Sequence, residues 1–154
     1  MGIKEMASSA TLPSESAIKI IEIKGKDLPK NYQGVVIARW LNSLRKYNKF
    51  FKTAEQDGYY KVYEPFIKLV LLRPEVKIRL AALEEDHDVV FGWSVYEGDL
   101  LHYVHVQAPY NRLGISYDLI PKEIKAYSHT TGPWEEYYVK KPRFKKLKFN
   151  PFFY

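Results

Sequence analysis

The apolar positions along the chain follow two different periods. Residues Ile18 to Lys24 alternate loosely around β-branched side chains, which predicts a strand. From Val36 to Tyr47 the apolar residues recur every three or four positions, which is the stripe of an amphipathic helix facing a core. A second helix is predicted to start at Glu64-Pro65, where proline suits a first turn, and to stop before Pro74.

Three extended segments follow at short intervals, over Val76–Leu83, Val89–Glu97 and Leu100–Val106. Only Gly98-Asp99 separates the last two segments, and such a two-residue connection is typical of a tight hairpin turn. Alternate positions of the middle segment are strongly apolar, so one of its faces packs on a core. The pattern therefore predicts an antiparallel meander.

Further along, Gly114–Ile124 is predicted to be helical in its first turns, until Pro121 limits the helix. Ala126–Thr131 is predicted as a further strand, and Gly132-Pro133 ends it. The resulting order of strands and helices predicts an α+β fold, with helices covering a mostly antiparallel sheet.

Composition narrows the class of protein. The chain has 154 residues, of which 46% are apolar and 27% charged, as expected of one compact domain. It has no cysteine, which excludes disulfides, thiolate metal sites and cysteine nucleophiles and fits a reducing compartment. We expect a flexible N-terminal arm over residues 1–17, a folded domain over 18–139 and a basic aromatic tail over 140–154.

The excess positive charge is concentrated at one end. The formal net charge is +6, and residues 137–154 contain six basic residues and no acidic ones, so the rest of the chain is neutral. A neutral body is not expected of a protein built throughout to bind a polyanion. The apolar runs are too short for a transmembrane helix and no secretory signal is evident, so we expect a cytoplasmic protein without a membrane partner.

The segment Leu101–Ser116 carries the candidate chemistry. It reads as a strand, a short loop and a helix whose start contains Gly114. The first turn of a helix leaves backbone N–H groups free and carries a partial positive charge, so it can hold a pyrophosphate. Gly114 permits a close approach, and Arg112 can add a charged contact. The alternative interpretation is that Gly114 caps a loop and Arg112 is solvated.

This segment resembles motif A of the Gcn5-related N-acetyltransferases (GNAT). The resemblance rests on Tyr103-Val104-His105-Val106 followed by Tyr110–Ser116. The chain is also similar to small phage-encoded GNAT-like proteins. That similarity rests on four short matches: Trp40-Leu41, Gly92-Trp93, His129-Thr130 and Asn150-Pro151-Phe152.

The resemblance implies a GNAT-like fold with a shortened C-terminal half, which takes acetyl-CoA between its fourth and fifth strands. It implies that Val104 and Val106 pair with the pantetheine arm, and that the loop and helix start hold the pyrophosphate. The residues implied for that second role are Asn111, Arg112, Leu113, Gly114, Ile115 and Ser116. Asn111 stands where the family commonly has Arg or Gln, and Ser116 where it has Gly or Ala.

The resemblance also offers an acid and a base. Glu97 is placed like the carboxylate that some family members use as a base, and Tyr138 lies near the position of the usual acid. The alternatives are a solvated turn residue for Glu97 and a packed ring for Tyr138. His102 and His105 are predicted on opposite faces of their strand, so at most one of them points into the cleft.

Three roles are open for the tail, which interleaves lysines and arginine with aromatic rings. Its rings can dock on the domain while the lysines stay in water, it can bind a protein partner, or it can bind single-stranded nucleic acid. Docking is favoured, and a nucleic-acid partner is not expected.

The sequence thus favours an acetyl-CoA-dependent N-acetyltransferase that transfers acetyl directly to an amine acceptor. The alternative is a non-catalytic interaction protein of the same fold, virion-associated if phage-encoded, which is anchored through residues 140–154. No metal site is expected.

Overall fold

The computed structural model describes residues 17–107 and 114–153, and within them six strands form one sheet in the order of the chain. The strands are β1 (Ile18–Lys24), β2 (Val76–Leu83), β3 (Asp86–Glu97), β4 (Leu100–Val106), β5 (Ala126–Tyr127) and β6 (Lys148–Phe149). The α-helices are α1 (Lys30–Tyr47), α2 (Lys49–Thr53), α3 (Gln56–Leu71) and α4 (Ile115–Leu119), and short 3-10 and π-helical turns span Gly25–Asp27 and Trp134–Tyr138.

Strands β1 to β4 form the predicted antiparallel meander, while β5 pairs parallel to β4 and β6 parallel to β5. The bounds of β1, β2 and β4 agree with the sequence pattern, and β3 begins earlier than predicted, at Asp86. Gly98 makes the β3–β4 turn with a φ of 56°, which only glycine adopts freely. A mixed sheet flanked by helices confirms the predicted α+β fold class.

Helices α1 and α3 cover one face of the sheet. Trp40 is fully buried, and its ring lies 6.2 Å from that of Trp93 in β3. Ile67 of α3 and Ile78 of β2 are also fully buried in this cluster, which is the largest of the core. Burial of these side chains holds α1 against β3, the strand beside β4.

The predicted start of the second long helix is wrong. Helix α3 begins at Gln56 rather than Glu64-Pro65, and the Glu55 side chain caps it by accepting hydrogen bonds from the N–H groups of Asp57 and Gly58. Pro65 lies inside the helix at an exposed position, where it has no N–H to donate to the Lys61 carbonyl four residues earlier. Helix α2, which precedes α3, was not predicted.

The opposite face of the sheet carries α4 and the C-terminal segment as far as Leu147, whereas Phe153 reaches the face covered by α1 and α3. Helix α4 is one turn long, and the predicted strand over Ala126–Thr131 is wrong in extent because β5 ends at Tyr127. Phe144 is 2% exposed and packs against Trp134, with ring centroids 5.9 Å apart. Arg143 donates hydrogen bonds to the carbonyls of Tyr117 and Ile120. Residues 140–153 therefore lie on the domain.

Within the described part of the chain, none of the helices is both long and apolar enough to cross a bilayer.

Candidate active site between the fourth and fifth strands

Strands β4 and β5 pair at one end and then diverge. Leu100 pairs with Ala126 and Leu101 with Tyr127, and the Ser128 N–H donates to the Leu101 carbonyl at 2.9 Å. From His102 onward β4 continues along β3, whereas the chain after Ser128 turns away. A cavity of about 700 Å³ lies where the two strands separate.

The open edge of β4 presents backbone groups to this cavity. The Gln107 N–H donates to the Phe91 carbonyl, so the pairs Gln107–Phe91 and His105–Trp93 lie in hydrogen-bonding register. In an antiparallel ladder the intervening residues point their N–H and C=O groups the other way. Those residues are Val104 and Val106, both of which line the cavity. Their peptide groups can therefore bind a ligand as a further strand would.

Gly114 lies at the opposite rim of the cavity. It adopts a φ of 74° immediately before α4, and Ser116 lines the cavity from inside the helix. Ile115 packs its side chain into the core with Leu119 and Phe91, so only its backbone is available to a ligand. The predicted cofactor residues Asn111, Arg112 and Leu113 lie outside the described residues.

The remaining walls of the cavity are aromatic and polar. They come from α1, β4 and the segment that follows β5. The described residues that line these walls include Tyr47, Tyr103, His105, Trp134, Tyr137, Tyr138 and Lys141. Among the described residues, no aspartate or glutamate contributes to the lining, and Lys141 is the one charged side chain that does.

A chain of polar contacts begins at the end of α3 and reaches the cavity at His102. The Arg73 guanidinium lies 2.9 Å from Glu97 Oε1, and the same oxygen lies 2.8 Å from His102 Nε2. The Glu97 side chain is 14% exposed and that of His102 is fully buried. Glu97 does not line the cavity, because the His102 ring lies between them.

The chain continues on the other side of His102. Its Nδ1 lies 2.8 Å from Ser128 Oγ, and that hydroxyl lies 2.7 Å from His129 Nδ1. His129 Nε2 in turn lies 2.7 Å from the Tyr63 hydroxyl of α3. Side chains from three separate parts of the fold are thus joined in one uninterrupted path, which we name the histidine relay: Arg73, Glu97, His102, Ser128, His129 and Tyr63.

Burial sets the protonation of the two histidines. It lowers the pKa of His102 below its ordinary value, although the hydrogen bond that the ring makes to Glu97 acts in the opposite direction. Burial and, in the same direction, the neighbouring His102 together lower the pKa of His129 to about 3. Both rings are therefore neutral at physiological pH.

A β-bulge corrects the predicted placement of His102 and His105. Val95 pairs with Tyr103 but its neighbour Tyr96 pairs with Leu101, so His102 is an extra residue in β4. The bulge shifts the alternation by one residue. His102 therefore faces His129, which meets Trp40 edge to face, and His105 lies beside Trp93 in the same layer. Both histidines line the cavity, whereas the sequence predicted that at most one of them would.

The two residues proposed from the sequence as base and acid are not equivalent in position. Tyr138 lines the cavity, and its ring stacks on Trp134 at 5.2 Å. Glu97 lies behind His102 and is held by Arg73. The structure brings Tyr138 together with Val104, Val106, Gly114 and Ser116 around one cavity, and it sets Glu97 one residue further back.

Sequence reasoning assigned no role to Ser128, His129, Tyr63 or Arg73. The adjacent Ser128-His129 pair is visible in the sequence, but nothing there indicates that it meets His102, which lies 26 positions before Ser128. Among the described residues there is no cluster of three or more metal-ligating side chains.

Comparison with known proteins gives distant likenesses. No protein-family model matches the sequence, and no curated protein matches it significantly. Among solved structures, apo YjaB from Escherichia coli shares 18% identity over 66% of this chain and 60% of its own, with a TM-score of 0.43. A GNAT-family acetyltransferase from Staphylococcus aureus Mu50 shares 21% sequence identity over 67% of this chain and 61% of its own. Its TM-score is also 0.43.

A third solved structure is an aminoglycoside acetyltransferase from an uncultured soil metagenomic sample. It shares 16% identity over 68% of this chain and 66% of its own, with a TM-score of 0.42. In each case the match spans less than two thirds of the other protein's length, between 60% and 66%.

Proposed function

We propose that the protein is an acetyl-CoA-dependent N-acetyltransferase that transfers the acetyl group directly to an amine. The observation that carries the proposal is the divergence of β4 from β5. It leaves the peptide groups of Val104 and Val106 facing a cavity of about 700 Å³, a volume typical of small-molecule sites. The resemblance of Tyr103–Val106 and the following residues to motif A supports the same ligand.

In this proposal the pantetheine arm pairs with β4 as an added strand. The Val106 N–H then donates to the thioester oxygen and stabilises the negative charge that develops there as the amine attacks the carbonyl carbon. The carbon–sulfur bond breaks and the thiolate leaves. Tyr138, in the cavity wall, is the proposed acid that returns a proton to it.

The pyrophosphate is assigned to the other rim of the cavity. Gly114, with its positive φ, lets the backbone approach a phosphate closely, and Ile115 and Ser116 contribute the peptide groups that follow. Asn111, Arg112 and Leu113 precede them directly in the sequence and complete the proposed set. Arg112 supplies the charge-assisted contact.

Calorimetric titration with acetyl-CoA tests this proposal. We expect micromolar binding by the wild-type protein and a loss of at least about tenfold in the Gly114→Trp variant, because the indole fills the rim. Gly98→Trp is the matched control, since Gly98 also has a positive φ but lies in a hairpin turn with open space around it. The control is expected to bind as the wild type does.

Failure of the folded wild-type protein to bind acetyl-CoA would reject the transferase. The remaining proposal is then the non-catalytic interaction protein anchored through residues 140–154, virion-associated if the chain is phage-encoded. We propose the cytoplasm as the location of the transferase, in a host cell if it is phage-encoded. The absence of acidic side chains from the described lining supports an acceptor that is not a polycation.

A further inference from the structure

His102 and Ser128 at the centre of the histidine relay are buried, and every ring nitrogen in the relay is occupied. His102 uses Nε2 toward Glu97 and Nδ1 toward Ser128, while His129 uses Nδ1 toward Ser128 and Nε2 toward Tyr63. Packing alone does not require this, because a buried apolar residue would satisfy the same space without five matched polar contacts. Both rings also line the cavity.

The geometry allows one arrangement of protons when Glu97 is ionised beside Arg73. A carboxylate only accepts, so His102 donates from Nε2 and its Nδ1 must accept from the Ser128 hydroxyl. Ser128 then accepts from His129 Nδ1–H. His129 Nε2 accepts in turn from the Tyr63 hydroxyl.

This arrangement leaves one acceptor position in the relay unfilled. A hydroxyl oxygen has two lone pairs, and the Ser128 oxygen uses one of them for His129. The second lone pair of the Ser128 oxygen can accept a proton, and this oxygen lies between the His102 and His129 rings, which line the cavity. Ser128 is 3% exposed and does not itself line the cavity, so the proton delivery proposed below requires one bridging water molecule.

We propose that His102 is the proton acceptor of the site, that Ser128 delivers the proton to it, and that Glu97 and His129 are positioning residues. The proposal rests on the transferase function proposed above. In this proposal Glu97 is not the base that the resemblance offered. It positions and stabilises His102, which accepts the proton of the amine.

The proton transfer balances as follows. An N–H bond of the ammonium breaks, its electron pair stays on nitrogen and its proton moves to the water, which passes one of its own protons to Ser128 Oγ. The original Ser128 proton moves to His102 Nδ1, so one N–H bond forms there and the hydroxyl is restored. The positive charge is transferred from the amine to the His102 imidazolium. No oxidant or further reactant is needed.

His102 rather than His129 takes the charge because of its neighbours. His102 faces the carboxylate of Glu97 from β3, with Arg73 from the end of α3 behind it. His129 faces His102, the Tyr63 hydroxyl of α3 and the aromatic rings of Trp40 and Phe153. A carboxylate in contact stabilises an imidazolium, whereas rings and a hydroxyl compensate its burial poorly.

Two measurements test the proposal. The first is nitrogen-15 NMR of the histidine rings in the free protein near pH 7. We expect His102 to carry its proton on Nε2 and His129 on Nδ1. A His102 that is protonated on Nδ1 would overturn the proposal whether or not the protein binds acetyl-CoA.

The second measurement is steady-state acetyl transfer by Ser128→Ala and Ser128→Thr. We expect Ser128→Ala to lower kcat by about 100-fold with little change in KM for acetyl-CoA, since the loss of a proton-transfer step has that size. Ser128→Thr keeps a hydroxyl and is expected to recover most of kcat. Ser94→Ala is the matched control, because Ser94 is a fully buried serine that donates to the Leu119 carbonyl away from the cavity.

The kinetic outcomes separate the two proposals. If the wild-type enzyme transfers acetyl and Ser128→Ala has the same kcat as Ser94→Ala, the proposed proton path through Ser128 is overturned. The transferase proposal then stands. A wild-type protein that neither binds acetyl-CoA nor transfers acetyl would overturn both. In the active enzyme, kcat is expected to fall with decreasing pH only below the ordinary range of a histidine, because burial lowers the pKa of His102 and protonated His102 accepts no further proton.

Discussion

Aromatic rings enclose His129, which is partly buried. It is surrounded by Trp40, Tyr63, Phe66 and Phe153, and its ring is held neutral by burial. A neutral histidine is uncommon as a filler of aromatic space, because both of its nitrogens require partners. Here Ser128 and Tyr63 supply them, which makes this position sensitive to acid.

Burial of His129 is expected to couple folding to pH. The unfolded chain binds a proton there below about pH 6.5, whereas the folded protein binds it only near pH 3, so stability falls as the pH drops through this window. Between pH 7.5 and 5.5 we expect the wild type to lose about 1.4 kcal/mol more than His129→Gln, measured by urea unfolding. The matched control is His87→Gln at an exposed position. Equal losses in wild type and His129→Gln would contradict the assignment.

Residue identity alone did not predict the faces of β4. Alternation along the sequence sets His102 and His105 on opposite sides, and the extra residue opposite Val95 and Tyr96 reverses this at one position. A bulge arises from pairing between strands, which the local pattern of a single strand does not contain. The same is true of Ser128 and His102, whose contact depends on how β5 is placed.

At the scale of elements, local patterns predicted best where one face of a strand is buried. The bounds of β1, β2 and β4 follow from alternation and from glycine turns. The start of α3 was missed because Pro65 was interpreted as a beginning, whereas the cap at Glu55 lies nine residues earlier than Glu64. The short strands β5 and β6 have little pattern of their own, and tertiary contacts define them.

Gly92 in the centre of β3 lies against the backbone of β4, so a substitution there tests how closely β4 must pack. A Cβ there would lie 2.7 Å from the His105 carbonyl oxygen and 3.2 Å from Val106 Cα, so Gly92→Ala must push β4 away at the residues that line the cavity. We expect this variant to lose about 1–3 kcal/mol of stability, as overpacked sites do, and to bind acetyl-CoA more weakly.

Gly34→Ala is the matched control for that substitution. A Cβ at Gly34 meets nothing within 4 Å, and the residue lies inside α1. Alanine there is expected to stabilise the protein by about 0.5–1 kcal/mol and to leave acetyl-CoA binding unchanged. Thermal unfolding and calorimetry report both effects. An unperturbed Gly92→Ala protein would show that β4 is free to move.

At the scale of the whole molecule, the C-terminal segment completes the domain. β6 pairs with β5, and the Phe153 ring packs on His102 at 4.5 Å. Arg73 joins the histidine relay to the C-terminal segment. It contacts Glu97 through Nε, and its Nη2 donates to the Phe153 carbonyl at 3.1 Å. Composition predicted the basic and aromatic character of this tail and favoured docking, but not where its rings are placed.

Arg73→Lys is expected to loosen the C-terminal segment, since one ammonium cannot reproduce both contacts of the guanidinium fork. We expect amide hydrogen exchange at Lys148 and Asn150, which bond to Lys125 and Tyr127, to accelerate by about tenfold. The matched control is Arg79→Lys, which removes a similar pair of contacts, to Glu22 and the Asp118 carbonyl, on the β1–β2 side. Acceleration in the control alone would contradict the role given to Arg73.

The two walls of the cavity are built very differently. One is β4, the fourth member of an antiparallel meander, whereas the other follows β5 and β6, which have two residues each. A wall held by a seven-residue strand resists displacement more than one held by a two-residue strand, so we expect the chain beyond Tyr127 to move first. In the proposed transferase, substitutions in that half therefore broaden or narrow the range of acceptors over evolution, while β4 continues to hold the thioester.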